Sequence, residues 1–166
     1  MTGFNRLSVP DLLGGMAAGL RVLGIDPGRK RIGLALSDVG RSLASPYGTL
    51  ARGKLAGNAA DIAAIAAREG VGGLIIGWPL EEDGRMGPAA QAARDWARAI
   101  SGATGLAFAL WDETLTTAET LAELIDADVS RQRRGEIVDK LAAARLLQAA
   151  LDTARRLGEG RAAITS

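Results

Sequence analysis

The 166-residue chain contains neither cysteine nor histidine. Without thiols there is no disulfide, no zinc thiolate centre and no cysteine nucleophile. Without imidazole there is no Ser-His-Asp hydrolysis, no histidine-ligated zinc and no histidine acid/base catalysis. Aromatics are scarce, with three Trp, two Phe and one Tyr, so extensive stacking of single-stranded bases has few platforms. No run approaches the apolar length needed to cross a membrane, and no membrane partner is expected. The net charge of +1 gives no general pull toward nucleic acid, so any such affinity has to come from clustered charge. The chemistry left to this chain belongs to carboxylates, Lys and Arg, hydroxyls, or a hard cation held by oxygen.

What is present suits one domain. Apolar residues make up 48% and charged residues 23%, an ordinary globular balance, and 166 residues can bury a substantial core. With Gly and Ala abundant, that core is expected to be built from small aliphatic side chains. Residues 1–20 match a signal peptide poorly. They read as a short extension with one helical turn, lying outside a main domain of 21–157, and 158–166 as a thin polar tail. Within the domain, strands are expected near 21–26, 31–38 and 46–51. A helix over Asn58–Glu69 ends at Gly70, and Leu74–Gly77 is an apolar strand covered on both faces. A helix over Pro88–Ile100 has Gly102 after it, and Leu106–Trp111 is a second buried strand. Thr116 or Thr117 can cap a helix running to about Ile125. A polar loop spans Asp126–Arg134, and the last helix runs from about Gly135 to Leu157. This order predicts a mixed α/β sheet flanked by helices, with right-handed crossovers.

The segment Arg21–Asp38, RVLGIDPGRKRIGLALSD, is the most informative. An apolar run leads into Asp26, a turn follows (Pro27-Gly28-Arg29-Lys30), and a second apolar run begins at Ile32, the pattern of a β-hairpin with an acid at the end of its first strand. An acid in a buried strand is costly unless it is paired or holds a metal; alternatively, Asp26 caps the turn through its own backbone. Three further acids stand at or near element ends. Asp112 and Glu113 follow the last strand, and Asp139 lies near the apolar face of the final helix. Converging carboxylates would raise one another's pKa unless a divalent cation neutralised them, and carboxylate oxygens suit Mg²⁺ or Mn²⁺. The plainer roles are a helix cap for Asp112, a solvated loop acid for Glu113, and an ion pair for Asp139 with a basic residue on a neighbouring helix. Trp78 and Trp111, at strand ends, read as core or rim residues before stacking platforms.

Four ordered segments resemble the YqgF family, also called RuvX, small bacterial members of the RNase H-like superfamily. GIDPGRKRIGLALSD (24–38) resembles the family's opening hairpin, LIIGWPLEEDG (74–84) its Gly-x-Pro loop, WDETLTT (111–117) its Asp-Glu-x-Leu-Thr/Ser-Thr element, and VDKLAAARLLQ (138–148) its Asp-bearing helix. The likeness covers about 21 to 155. It implies an RNase H-like fold, a five-stranded sheet with an antiparallel three-stranded start and then parallel strands. It also implies Asp26, Glu113 and Asp139 as catalytic acids and metal ligands, Mg²⁺ or Mn²⁺ as cofactor, and a cytoplasmic endonuclease acting on structured RNA in 5′-end maturation of 16S ribosomal RNA. The alternative is resolution of branched DNA, from likeness to the resolvase RuvC. The chain departs from the family pattern at Thr114, where Arg is usual, and at Glu81, where Asn is common.

Two basic clusters could track a nucleic-acid backbone: Arg29, Lys30 and Arg31 in the first turn, and Arg131, Arg133 and Arg134 before the last helix. Such charge runs are otherwise solvated. Backbone and shape recognition is the expectation for this chain, acting as a monomer or weak homodimer. A more distant reading is an actin- or heat-shock-type ATPase, which shares the strand-Gly-Ile-Asp-x-Gly opening. Those proteins use two such halves, and this chain has room for one. A non-catalytic RNA-binding module is the third.

Overall fold

The computed structural model describes residues 6–80, 83–112 and 131–165. Five strands, β1 (Arg21–Pro27), β2 (Arg31–Ser37), β3 (Ala44–Ala51), β4 (Val71–Trp78) and β5 (Ala107–Asp112), form one sheet in the order β3-β2-β1-β4-β5. The first three pair antiparallel, and β1, β4 and β5 run parallel. This is the antiparallel start and parallel continuation expected from the sequence. Among the described residues four helices accompany it: α1 (Val9–Gly15), α2 (Leu55–Glu69), α3 (Pro88–Thr104) and α4 (Arg131–Thr165). The helix expected from Thr116 or Thr117 to Ile125 lies outside the described residues.

The two-residue period of a strand sorts its side chains between two cores. Leu23, Ile25, Ile32, Leu34, Leu74, Ile76 and Phe108 point to one face, where Ile62 and Ile65 of α2 and Ile100 of α3 cover them. Val22, Ala35, Ile75, Ala109 and Trp111 point to the other, under Leu146, Leu147 and Leu151 of α4 and Leu12 of α1. The central strands β1 and β4 are therefore apolar on both sides, which is why they read as unbroken hydrophobic runs. α4 lies across β2, β3 and β1.

Several element bounds differ from the sequence expectation for local reasons. Gly102 sits inside α3; the helix ends instead at Gly105, whose φ of 73° lets its N–H turn back to the Ser101 carbonyl. α4 begins at Arg131 and reaches Thr165, taking in both the basic stretch expected as loop and the stretch expected as tail. Arg is a good helix former, so a run of charge does not by itself stop a helix. Of the stretch expected outside the domain, residues 7–12 pack against the fold. The Leu7 N–H donates to the Phe108 carbonyl at 3.0 Å, Leu7 bridges to Ala109, and Val9 and Leu12 are buried. Ser8 caps α1 by accepting from the Asp11 N–H at 3.2 Å.

Candidate active site

Asp26 is the penultimate residue of β1 and is half-buried. Val22 of the same strand packs in the α4 core, and a side chain on Gly24 would run into Leu147. Asp26, two further along, shares that face. Its cross-strand partner in β2 is Gly33. A β-carbon on Gly33 would collide with the backbone carbonyl of Asp139. The bare glycine thus lets α4 settle directly onto the hairpin, with Asp139 over the residue paired with Asp26. Two acids separated by 113 positions in the chain come to one face of the sheet through this contact.

Asp139 is held from below. Arg31 Nε donates to its Oδ2 at 2.7 Å, with both side chains 30% exposed. The expected pairing of Asp139 thus comes from a strand and not from a neighbouring helix. At that exposure the pair contributes about 1 kcal/mol or less to stability, so its main effect is on where the carboxylate points. Arg31 stands apart from Arg29 and Lys30, which are exposed at the turn; its guanidinium is turned to Asp139 rather than to solvent. Gly135, one turn before Asp139, packs on that guanidinium, and a side chain there would collide with Nη2.

Asp112 faces elsewhere. Trp111 packs in the α4 core, so the next residue of β5 points to the opposite side of the sheet from Asp26. Glu113 lies outside the described residues, as do Glu81 and Thr114. Among the described residues no three acidic side chains form a group that could hold a metal ion. The two brought together, Asp26 and Asp139, are hard oxygen donors of the kind Mg²⁺ or Mn²⁺ accepts, and the Arg31 contact engages one Asp139 oxygen and leaves Oδ1.

The basic residues divide. Arg29 and Lys30 crown the β1–β2 turn. Sequence reasoning missed a third member of this tip, Arg52. Its backbone N–H donates to the Lys30 carbonyl at 2.9 Å, and its guanidinium donates to the Gly28 carbonyl at 3.0 Å and stacks 5.2 Å from the Trp96 ring. Antiparallel pairing was the available signal, since whatever follows β3 must return beside the turn that precedes β2. Arg131, Arg133 and Arg134 fall in the first turn of α4 rather than in a loop. Of these, Arg133 is exposed and lines a recess of about 200 Å³ with Gly48, Thr49, Glu136 and Lys140; the side chains of the other two lie outside the described residues. Of the two strand-end tryptophans, Trp78 is partly buried and Trp111 is buried. Trp78 donates to the Ala90 carbonyl at 3.0 Å under the Arg6 guanidinium.

The family model described as "RuvX: Holliday junction resolvase" matches residues 20–153. The chain is 62% identical over 133 residues to the "Putative pre-16S rRNA nuclease" of Gluconacetobacter diazotrophicus, covering 80% of this chain and 86% of that protein. It is 55% identical over 152 residues to the protein of the same description in Acidiphilium cryptum, covering 92% and 94%. Among solved structures, "T. thermophilus RuvC in complex with Holliday junction substrate" aligns over 81% of this chain and 95% of that one, at 18% identity and a TM-score of 0.49.

Proposed function

From the premise that this chain belongs to the RuvX family, we propose that it is a metal-dependent endonuclease hydrolysing phosphodiester bonds, acting in 5′-end processing of precursor 16S rRNA. The observation that carries the mechanism is the placement of Asp26 and Asp139 on one face across Gly33. Glu113 is the third acid of the proposed set. The substrate assignment follows the relatives, described as pre-16S rRNA nucleases at 62% and 55% identity.

In this mechanism Asp26 and Asp139 would hold Mg²⁺ or Mn²⁺ through their carboxylate oxygens. A cation bound there would supply Lewis-acid polarisation of the scissile phosphate and charge to offset the leaving oxygen. Arg31 keeps the Asp139 carboxylate oriented. Arg29 and Lys30, exposed on the turn that directly follows Asp26, meet the backbone phosphates, and Arg52 ties that turn to the end of β3. Contacts of this type position a nucleic acid without reading its bases. Resolution of a four-way DNA junction is the second reading, favoured by the family's own description.

The test is cleavage of precursor 16S rRNA and of a four-way DNA junction with Mn²⁺ or Mg²⁺, comparing wild type with Asp26→Asn. Loss of a ligand should lower the cleavage rate by about a hundredfold or more, at least the upper end of what removing a ligand's supporting partner costs. Equal rates would sink the mechanism, and cleavage of the junction alone would reassign the substrate.

A further inference from the structure

On the reading that Asp26 and Asp139 hold a cation, we propose that Arg31 is a positioning residue for that site. It fixes the Asp139 carboxylate so that one oxygen is presented to the metal. Three features of the fold converge on this role. The contact is made by Nε, at 2.7 Å, to Oδ2 alone, leaving Oδ1 for a cation. The guanidinium is itself seated, because Gly135 is the point of α4 where any side chain would strike Nη2. The helix backbone at Asp139 is in turn seated on Gly33, the neighbour of Arg31 but one and the cross-strand partner of Asp26. Two glycines, one on each element, thus make a recess into which the Arg31–Asp139 pair fits.

A pair with 30% of each side chain exposed does little for stability. Its geometry does more. A carboxylate that rotates freely must be ordered when the metal arrives, and a hydrogen bond to the oxygen that does not ligate removes that cost in advance. Arg suits this because its planar fork holds a fixed direction, which a lysine ammonium does not.

The experiment is Mn²⁺ titration of the full chain without nucleic acid, read by the paramagnetic resonance signal of free Mn²⁺. Arg31→Gln should weaken Mn²⁺ binding roughly tenfold, within the range seen when a ligand's supporting partner is removed. Gly135→Ala keeps the charge but pushes the guanidinium aside. It should weaken binding alone and add nothing further in the Arg31→Gln background, the non-additivity expected of groups that act through one contact. Alanine favours the helix, so Gly135→Ala remains informative if Arg31→Gln folds poorly by circular dichroism. Unchanged or tighter Mn²⁺ binding in Arg31→Gln overturns the positioning role. Asp139→Asn tests the cation site separately from Arg31: if it binds Mn²⁺ like wild type, Asp139 is not a ligand and the metal site itself is wrong.

Discussion

Asp139 and Asp38 show how differently two aspartates of one chain are used. Asp139 faces a single guanidinium and keeps an oxygen in reserve. Asp38, in the loop after β2, is an acceptor for the backbone: its Oδ1 takes the Leu43 N–H at 3.1 Å and the Ser42 N–H at 2.8 Å. These two hydrogen bonds, that of Leu43 first, hold its carboxyl below the ordinary aspartate range. A pKa depressed in the folded state means that ionised Asp38 stabilises the fold above the unfolded value of about 3.9. That contribution is lost as pH falls through the lower, folded value. Asp38→Asn should therefore melt below wild type at neutral pH, with the gap narrowing under about pH 4. A gap that stays constant between the two in thermal melts would show that the charge plays no part.

At the scale of elements, the decisive contact is α4 against the β1–β2 hairpin. Gly33→Ala places a methyl where the Asp139 carbonyl now sits. Because the obstacle is backbone, the start of the helix has to lift, at a cost of about 1–3 kcal/mol for an overpacked contact. Gly57→Ala in α2 is the control, since nothing lies within 4 Å of its added carbon. That change should be neutral or stabilising by up to about 1 kcal/mol from helix propensity. The urea unfolding midpoint should fall for Gly33→Ala and hold or rise for Gly57→Ala, and a Gly33→Ala midpoint at or above wild type would refute the close packing.

For the whole molecule, the two-sided sheet explains why the N-terminal residues belong to it. β5 is an edge strand with open backbone groups on its outer side, a liability unless covered. Leu7 pairs with that edge, and α1 then brings Leu12, 1% exposed, into the α4 core. Leu12→Ala should cost about 2–5 kcal/mol, as for other buried leucines. A loss under about 0.5 kcal/mol, the value for a surface position, would show that residues 6–16 are only loosely applied. The link from α1 to β1 is tied by Arg41, whose guanidinium donates to the carbonyls of Ala17 at 3.1 Å and Leu20 at 2.9 Å.

The sequence by itself determined the strands, because hydrophobic runs bounded by Gly and Pro are a local property, and Val22–Ile25, Ile32–Leu36 and Leu74–Ile76 stand in the sheet where the pattern put them. It also marked Asp26 and Asp139 as unusual, since each carboxylate interrupts or borders an apolar run. Element ends were less legible. Gly102 and Gly105 look alike in sequence, and only the second takes a positive φ. Tertiary structure alone decided what the acids and bases do for one another. Arg31 looked like one of three solvent-facing cations in a turn; strand alternation sends it to the α4 face, 108 residues away in sequence from the carboxylate it holds. Asp112, read from sequence as a helix cap, follows Trp111 on β5 and so points to the opposite side of the sheet from Asp26. Convergence depends on strand order and on two glycines allowing a helix to touch a sheet, and neither is a property of any local stretch of chain.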